Sequence, residues 1–229
     1  MDAFLLCGGY GKRLGKITKK VPKPFLKINN KPFIQYIINN LVKAKIANIY
    51  LLCSYKSNFF FKEFHKKKIK KTNIFCIKEP KQLGTGGAIL NAKKKLKGKF
   101  LVLNADSHFK IDLDTFIKKG IKQNCYAKIA VTLNKYYKSN NKLSNLQLNK
   151  NNLLLKSDNG RLMNGGIYLI KKYSLLKISK KKFSLEKNYI EKIMMENKVE
   201  GQYFKNNFID IGLVKNFNRI KAKPHKYLK

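Results

Sequence analysis

Carboxylates are scarce in this chain. Asp and Glu together number 12 against 51 Lys and Arg, giving a formal net charge of +39 over 229 residues. Arginine is confined to Arg13, Arg161 and Arg219, so the charge is lysine. Tryptophan is missing and proline occurs only 5 times. Cys7, Cys53, Cys76 and Cys125 show no C-x-x-C spacing, and His65, His108 and His225 are scattered. That pattern excludes a structural zinc site and leaves reduced, buried thiols. No apolar run approaches the roughly 18 residues of a membrane span, and no basic and apolar leader precedes the first strand. A cytoplasmic location without membrane contact is therefore expected. So much positive charge invites a nucleic-acid partner through counterion release. Against that, the lysines are spread over every segment, with no helix-turn-helix, RNP or OB signature, so no specific nucleic-acid binding is expected. Heavy use of Asn, Ile, Tyr and Phe beside lysine, all with A/T-rich codons, points to base-composition bias.

What is present begins at the start of the chain. The apolar run 3–7 reads as a buried strand that breaks into Gly8, Gly9 and Gly11, followed by Lys12 and Arg13. Glycines let backbone N–H groups approach a polyphosphate, and an arginine grips phosphate oxygens as a planar fork. The G-G-x-G spacing is neither the Rossmann fingerprint nor a Walker A loop. Pro22 and Pro24 fix the backbone around Lys23 and deny that segment a helix, so Lys23 reads as a placed charge. Phe33, Ile34, Ile37, Ile38, Leu41 and Val42 predict a core-facing helix, with Asn30 as its cap and Pro32 at its first position. Strands at 49–53 and 73–77, separated by a helix carrying Phe60, Phe61 and Phe64, make the order βαβαβ. That order favours a parallel sheet with right-handed crossovers.

A second glycine-rich loop, from Gln82 to Gly87, opens a helix with Ile89, Ala92 and Leu96 on one face. The strand 100–104 then runs straight into Ala105 and Asp106. Ligands of open α/β sheets sit at the carboxyl ends of the strands, where both loops and Asp106 converge. Further on, Asp112 and Asp114 begin a helix through Phe116, 127–133 is a strand, and 136–152 reads as a hairpin or excursion. Asn164, Gly165 and Gly166 turn into another strand, and Ser184 caps a helix with Glu186 in its first turn and Asn197 beyond its end. A closing helix runs to about 220, and residues 1–229 are expected to form a single domain.

In so acid-poor a chain, Asp106 at a strand end and Asp210 inside the apolar run 208–212 need a reason. A buried, unpaired carboxylate is strongly destabilising, and a bound cation or a cluster of lysines resolves it. Beside phosphate loops the cation reading is Mg²⁺, which takes one or two carboxylates together with phosphate oxygens.

Leu6-Cys7-Gly8-Gly9-Tyr10-Gly11-Lys12-Arg13-Leu14, Pro22-Lys23-Pro24, Leu83-Gly84-Thr85-Gly86-Gly87, Asn104-Ala105-Asp106, Asn164-Gly165-Gly166-Ile167-Tyr168 and Asp210-Ile211-Gly212 stand in a telling order. In that order the whole chain resembles the sugar-1-phosphate nucleotidyltransferases. Ile28-Asn29-Asn30-Lys31-Pro32-Phe33, Ser54-Tyr55-Lys56, Glu79 and Phe183-Ser184-Leu185-Glu186 make it most similar to the D-glycero-D-manno-heptose 1-phosphate guanylyltransferase branch. The resemblance implies an α/β, Rossmann-like three-layer fold with a mixed, mostly parallel sheet. It also implies the reaction of an NTP with a sugar 1-phosphate to give an NDP-sugar and pyrophosphate. GTP and a heptose 1-phosphate are the favoured substrates, serving surface polysaccharide synthesis, and a homodimer is compatible. Uridylyl or cytidylyl transfer to another sugar phosphate is the alternative, and a catalytically silent nucleotide-sugar-binding relative is another.

By the same resemblance Arg13 and Lys23 are catalytic, and Asp106 and Asp210 hold Mg²⁺. Leu6, Gly8, Gly9, Gly11, Lys12, Gln82, Gly84, Thr85 and Gly87 bind the nucleotide. Asn104, Lys156, Asn164, Gly165 and Glu186 bind the sugar. The chain departs from the family pattern in several places. Leu155-Lys156 stands where many relatives have Glu-Lys, Tyr136-Tyr137 lacks a usual glycine, Ala105 replaces a glycine, and Leu213-Val214 replaces Thr-Pro. With a sugar-binding carboxylate missing at 155, Glu186 is expected to be the main acceptor for sugar hydroxyls.

Overall fold

The structure is a computed structural model that describes residues 1–133 and 144–228. The Tyr136-Tyr137 departure lies outside the described residues. Four parallel strands form the centre of the main sheet: Lys99–Asn104, Asp2–Leu6, Asn48–Cys53 and Thr72–Lys78, side by side in that order. Leu162–Lys171 adds antiparallel to Lys99–Asn104, and pairs on its other side with Ala127–Leu133. Val199–Tyr203 continues parallel to Ala127–Leu133, and the short Lys67–Ile69 closes the far edge antiparallel. The sheet is mixed with a parallel centre, as expected.

Strand side chains alternate between the two faces, and the core divides accordingly. Ala3, Leu5, Ile49, Leu51, Leu101 and Leu103 face one layer, while Phe4, Tyr50, Leu52, Phe100 and Val102 face the other. On the first face lies the helix Phe33–Lys43, which buries Phe33, Ile34, Ile37, Ile38 and Leu41. Each such side chain contributes about 1.5–3 kcal/mol of burial. Helices Ser57–Phe64 and Val214–Ala222 share that face through Phe60, Phe64, Phe217 and Ile220. The second face is covered by Gly84–Asn91 and by the helical stretch from Leu185 to Met195. Three layers result, helices on both sides of the sheet.

Several local expectations change. Pro32 precedes the helix instead of opening it, and Asn30 does not cap it. Asn29 and Asn30 both have positive φ, 48° and 62°, because they turn the two-residue ribbon Lys27–Ile28 against Lys31–Pro32. Lys23 is not extended: Lys23–Phe25 is one turn of 3-10 helix, and the extended residues are Val21 and Pro22 before it. Pro24 is tolerated there because the first residues of a helix need no N–H partner. The helix after Ser184 opens as a π-helical stretch, Leu185–Ile190, before Glu191–Met195 becomes α, and Asn197 follows its end at φ 55°. Asp112 caps Leu113–Lys118 by accepting from the backbone N–H groups of Asp114 and Thr115, as anticipated. Among the described residues no helix is long and apolar enough to cross a membrane.

Candidate active site

The register Leu6↔Leu52 and Leu6↔Asn104 ends three parallel strands level with one another, so the segments that follow them meet at one edge. A cleft with about 750 Å³ of empty space opens there. Of the residues expected to bind nucleotide, Leu6, Gly8, Gly9, Gln82, Gly84 and Thr85 line it. Lys23, Asp106, Asn104 and Glu186 line it too.

At the cationic end, Lys23 is 7% exposed and its Nζ donates to Asp106 Oδ2 at 2.5 Å. Asp210 arrives from a distant part of the chain. Phe208–Asp210 pairs antiparallel with Ser107–Phe109, which sets Asp210 opposite Ser107, and the Ile211 N–H donates to the Asp106 carbonyl at 2.9 Å. Gly212 then donates its N–H to Asp210 Oδ1 at 2.6 Å. A Cβ at Gly212 would stand 2.8 Å from Asp210 Oδ1 and 3.1 Å from both Arg13 Nη2 and Lys23 Nζ. A side chain at 212 would therefore press on the point where these three charges converge. Arg13 itself is exposed, carried on a 3-10 turn, Lys12–Leu14. That turn follows Gly11, whose positive φ of 66° and contact with Thr18 leave no space for a side chain.

Electrostatics follow this geometry. Burial opposes the charge on Lys23, but Asp106 and Asp210 overcome it and hold its pKa above the ordinary lysine value. Burial likewise opposes ionisation of Asp106, and the Lys23 ammonium outweighs it, holding that carboxyl below its usual range. Asp210 goes the other way: burial, and then the Asp106 charge, push it up to about 6. Two carboxylates held side by side where one resists ionisation form a donor set that a divalent cation would relieve. Among the described residues no cluster of three or more His, Cys, Asp or Glu exists, so any such ion would complete its shell with phosphate or water oxygens.

Glu186 sits at the cleft under three hydroxyl donors. Thr85 Oγ1 and Ser184 Oγ donate to Oε2 at 2.8 and 3.0 Å, and the Tyr168 hydroxyl donates to Oε1 at 3.1 Å. Tyr168 is fully buried and also accepts from Asn164 Nδ2. Burial, then the Glu186 charge, drive its phenol pKa well above 10.0, so it remains a donor. Asn164 therefore reaches Glu186 through Tyr168.

Other expected residues are placed elsewhere. Gly87 packs against the Lys181 carbonyl, and its N–H, like that of Gly86, donates to the Phe183 carbonyl. Gly165 packs on the Phe109 ring. Lys12 is exposed, its Nζ 5.8 Å from the Tyr10 ring centroid. Lys156 is not brought to the cleft. It ends the edge strand Leu154–Lys156 and lines a separate hollow with Leu155, Glu191 and Met194.

Glu79 lines the cleft although it was not among the expected site residues. Its Oε2 accepts from the Leu83 N–H at 3.1 Å, it lines the cleft at 6% exposure, and among the described residues Oε1 takes no hydrogen bond. Burial raises its pKa. An acidic residue directly after an apolar strand, in a chain so poor in them, was the available signal, the same one that singled out Asp106.

A doubly covered sheet with glycine loops, a buried lysine and paired carboxylates at its carboxyl edge defines a phosphate-handling α/β protein. The comparisons agree. Residues 2–142 match the family model described as nucleotidyl transferase, and the chain belongs to that family. It is 35% identical over 219 residues to the D-glycero-alpha-D-manno-heptose 1-phosphate guanylyltransferase of Campylobacter jejuni, covering 95% of this chain and 97% of the relative. It is 29% identical to the enzyme of the same name from Aneurinibacillus thermoaerophilus, with both chains fully covered. The crystal structure of HddC from Yersinia pseudotuberculosis complexed with GMP-PN superposes with a TM-score of 0.78 at 26% identity, over 97% of this chain and 98% of that one.

Proposed function

We propose that this chain is a guanylyltransferase that uses GTP, a heptose 1-phosphate and Mg²⁺ to make a GDP-sugar and pyrophosphate in the cytoplasm, where GTP is supplied. The observation that carries the reading is that one cleft is lined both by the buried Lys23, with Arg13 near it, and by the Glu79 carboxylate beside Gly8, which this reading assigns to the base. A triphosphate belongs with the cations. A carboxylate at the base end matches guanine, whose N1–H and exocyclic amine present two donors to one acceptor group. Uracil presents one N–H flanked by two carbonyls, which a carboxylate repels.

In the reaction an oxygen of the sugar phosphate attacks the α-phosphorus. The new P–O bond forms as the bond from the α-phosphorus to the bridging oxygen breaks, and that electron pair leaves with pyrophosphate. Both reactants are anions, so the task is neutralisation and in-line positioning more than proton transfer. Lys23 supplies a buried, permanently charged Nζ, pre-aimed by Asp106, and Arg13 supplies a fork for the leaving phosphates. Asp106 and Asp210 would hold Mg²⁺, which when bound screens the phosphate charges. Gly8 and Gly9 leave the backbone open to the nucleotide, and Glu186, oriented by Tyr168 and Thr85, accepts from sugar hydroxyls. Purified protein given GTP, a heptose 1-phosphate and Mg²⁺ should release pyrophosphate, and EDTA should stop it. Pyrophosphate release that EDTA leaves unchanged would remove the metal from this account.

A further inference from the structure

We propose that Tyr55 and Lys56 are positioning residues that hold the glycine loop in its phosphate-gripping shape; the proposal rests on reading that loop as the triphosphate site. The segment from Gly8 to Lys20 carries Arg13 and crowds it with Lys12, Lys16, Lys19 and Lys20. Such a segment repels itself and needs an external hold.

Internally the loop is stitched by Thr18, which is 3% exposed and whose Oγ1 donates to the carbonyls of Gly11 at 3.2 Å and Gly15 at 3.3 Å. Thr18 lies in a one-turn helix, Ile17–Lys20, whose last carbonyls have no partner within so short a helix. The neighbouring strand Asn48–Cys53 provides them. Just beyond it the Tyr55 hydroxyl donates to the Thr18 carbonyl at 3.3 Å, and Lys56 Nζ donates to the carbonyls of Lys19 and, at 2.9 Å, Lys20. A cation at carbonyls that end a helix is favourable, which explains one more lysine among so many. Lys56 takes a left-handed backbone, φ 52°, opening the Ser57–Phe64 helix, and the Tyr55 ring lies tilted at 57° with its centroid 5.1 Å from that of Tyr10 on the glycine loop. The hydrogen-bonded links run in series, from Lys56 to the one-turn helix, to Thr18, to Gly11 and Arg13, while the Tyr55–Tyr10 ring contact reaches the loop separately.

The test is GTP binding by calorimetry without sugar phosphate, together with steady-state kinetics, on K56M, K56R, T18V and K56M/T18V. K56M should weaken GTP binding about three- to fivefold, the scale of one cation at a helix end. It should raise KM for GTP, leave kcat and KM for the sugar phosphate unchanged, and be rescued largely by K56R. T18V should move the same way. Because the links are in series, the double variant should be no weaker than the worse single one. Unchanged GTP affinity in K56M, equal rises in both KM values, or a double variant whose loss is the product of the singles would overturn the proposal. Failure of the unaltered protein to bind GTP would instead overturn the nucleotide-site reading, and this proposal with it.

Discussion

Lys23 Nζ stands 2.5 Å from Asp106 Oδ2, and the same ammonium lies 3.1 Å from the point where a Cβ at residue 212 would be. One buried cation thus ties together the strand end that carries Asp106 and the turn after Asp210. Lys23→Ala should lower kcat at least about 10²-fold, the scale of one preorganised electrostatic contact. Circular dichroism should show the fold retained. An effect on stability alone would make Lys23 a structural residue.

Asp106→Asn and Asp210→Asn should each remove most Mg²⁺-dependent turnover. Titrating Mg²⁺ into each variant checks this, and near-normal activity in both would sink the metal assignment.

Gly212→Ala places a methyl 2.8 Å from Asp210 Oδ1. Turnover should fall although no group of the site is deleted, because the Asp210 carboxylate must shift and both cation tips must give by a few tenths of an ångström. Wild-type rates in this variant would show that their convergence does not matter.

These residues show how far the sequence could be read. The central strands were legible because Asp2–Leu6, Asn48–Cys53 and Lys99–Asn104 are apolar runs buried on both faces and Thr72–Lys78 alternates, and the two glycine loops and Asp106 follow strand ends. The pairing of Phe208–Asp210 with Ser107–Phe109 was not, since no local pattern links segments so far apart in the chain. The 3-10 turn at Lys23 was hidden by its prolines, which disfavour an α-helix but permit one tight turn at its start. Glycines mislead in the other direction. Gly87 and Gly165 read as ligand positions, yet each is required where two elements press together. Lys156 was assigned to the sugar by the family resemblance alone, and the edge strand carries it away from the cleft.

Glu79→Gln should raise KM for GTP about tenfold, the scale of a lost hydrogen bond to a charged group, and narrow the preference for GTP over UTP. Unaltered selectivity would move base recognition to another residue.

Glu186→Gln should raise KM for the sugar 1-phosphate more than for GTP. The three hydroxyls now donating to this carboxylate cannot all be kept by an amide. Equal effects on both substrates would reduce Glu186 to a packing and helix-end role.

His108 sets an acid limit on stability. It is 3% exposed, close to Asn40 Nδ2 at 2.9 Å, and burial, aided by Lys110, pushes its pKa down to about 4 despite a backbone contact with Tyr227. The unfolded chain binds this proton near its ordinary pKa of 6.5, so stability is full above that pH and falls as pH drops towards 4. The loss is up to about 3 kcal/mol. Thermal melts of wild type and His108→Gln across that window check it, the variant having the flatter slope. Parallel slopes would assign the acid sensitivity to other groups.

The central claim is met most directly by one panel: GTP, UTP, CTP and ATP, each with several sugar 1-phosphates including a heptose 1-phosphate, read as pyrophosphate release with Mg²⁺ present. The cleft predicts turnover with GTP well above the other three nucleotides, and the likeness to heptose 1-phosphate guanylyltransferases predicts a heptose 1-phosphate above the other sugars. Preference for UTP or CTP, or no pyrophosphate from any pair while nucleotide sugars still bind, would contradict it.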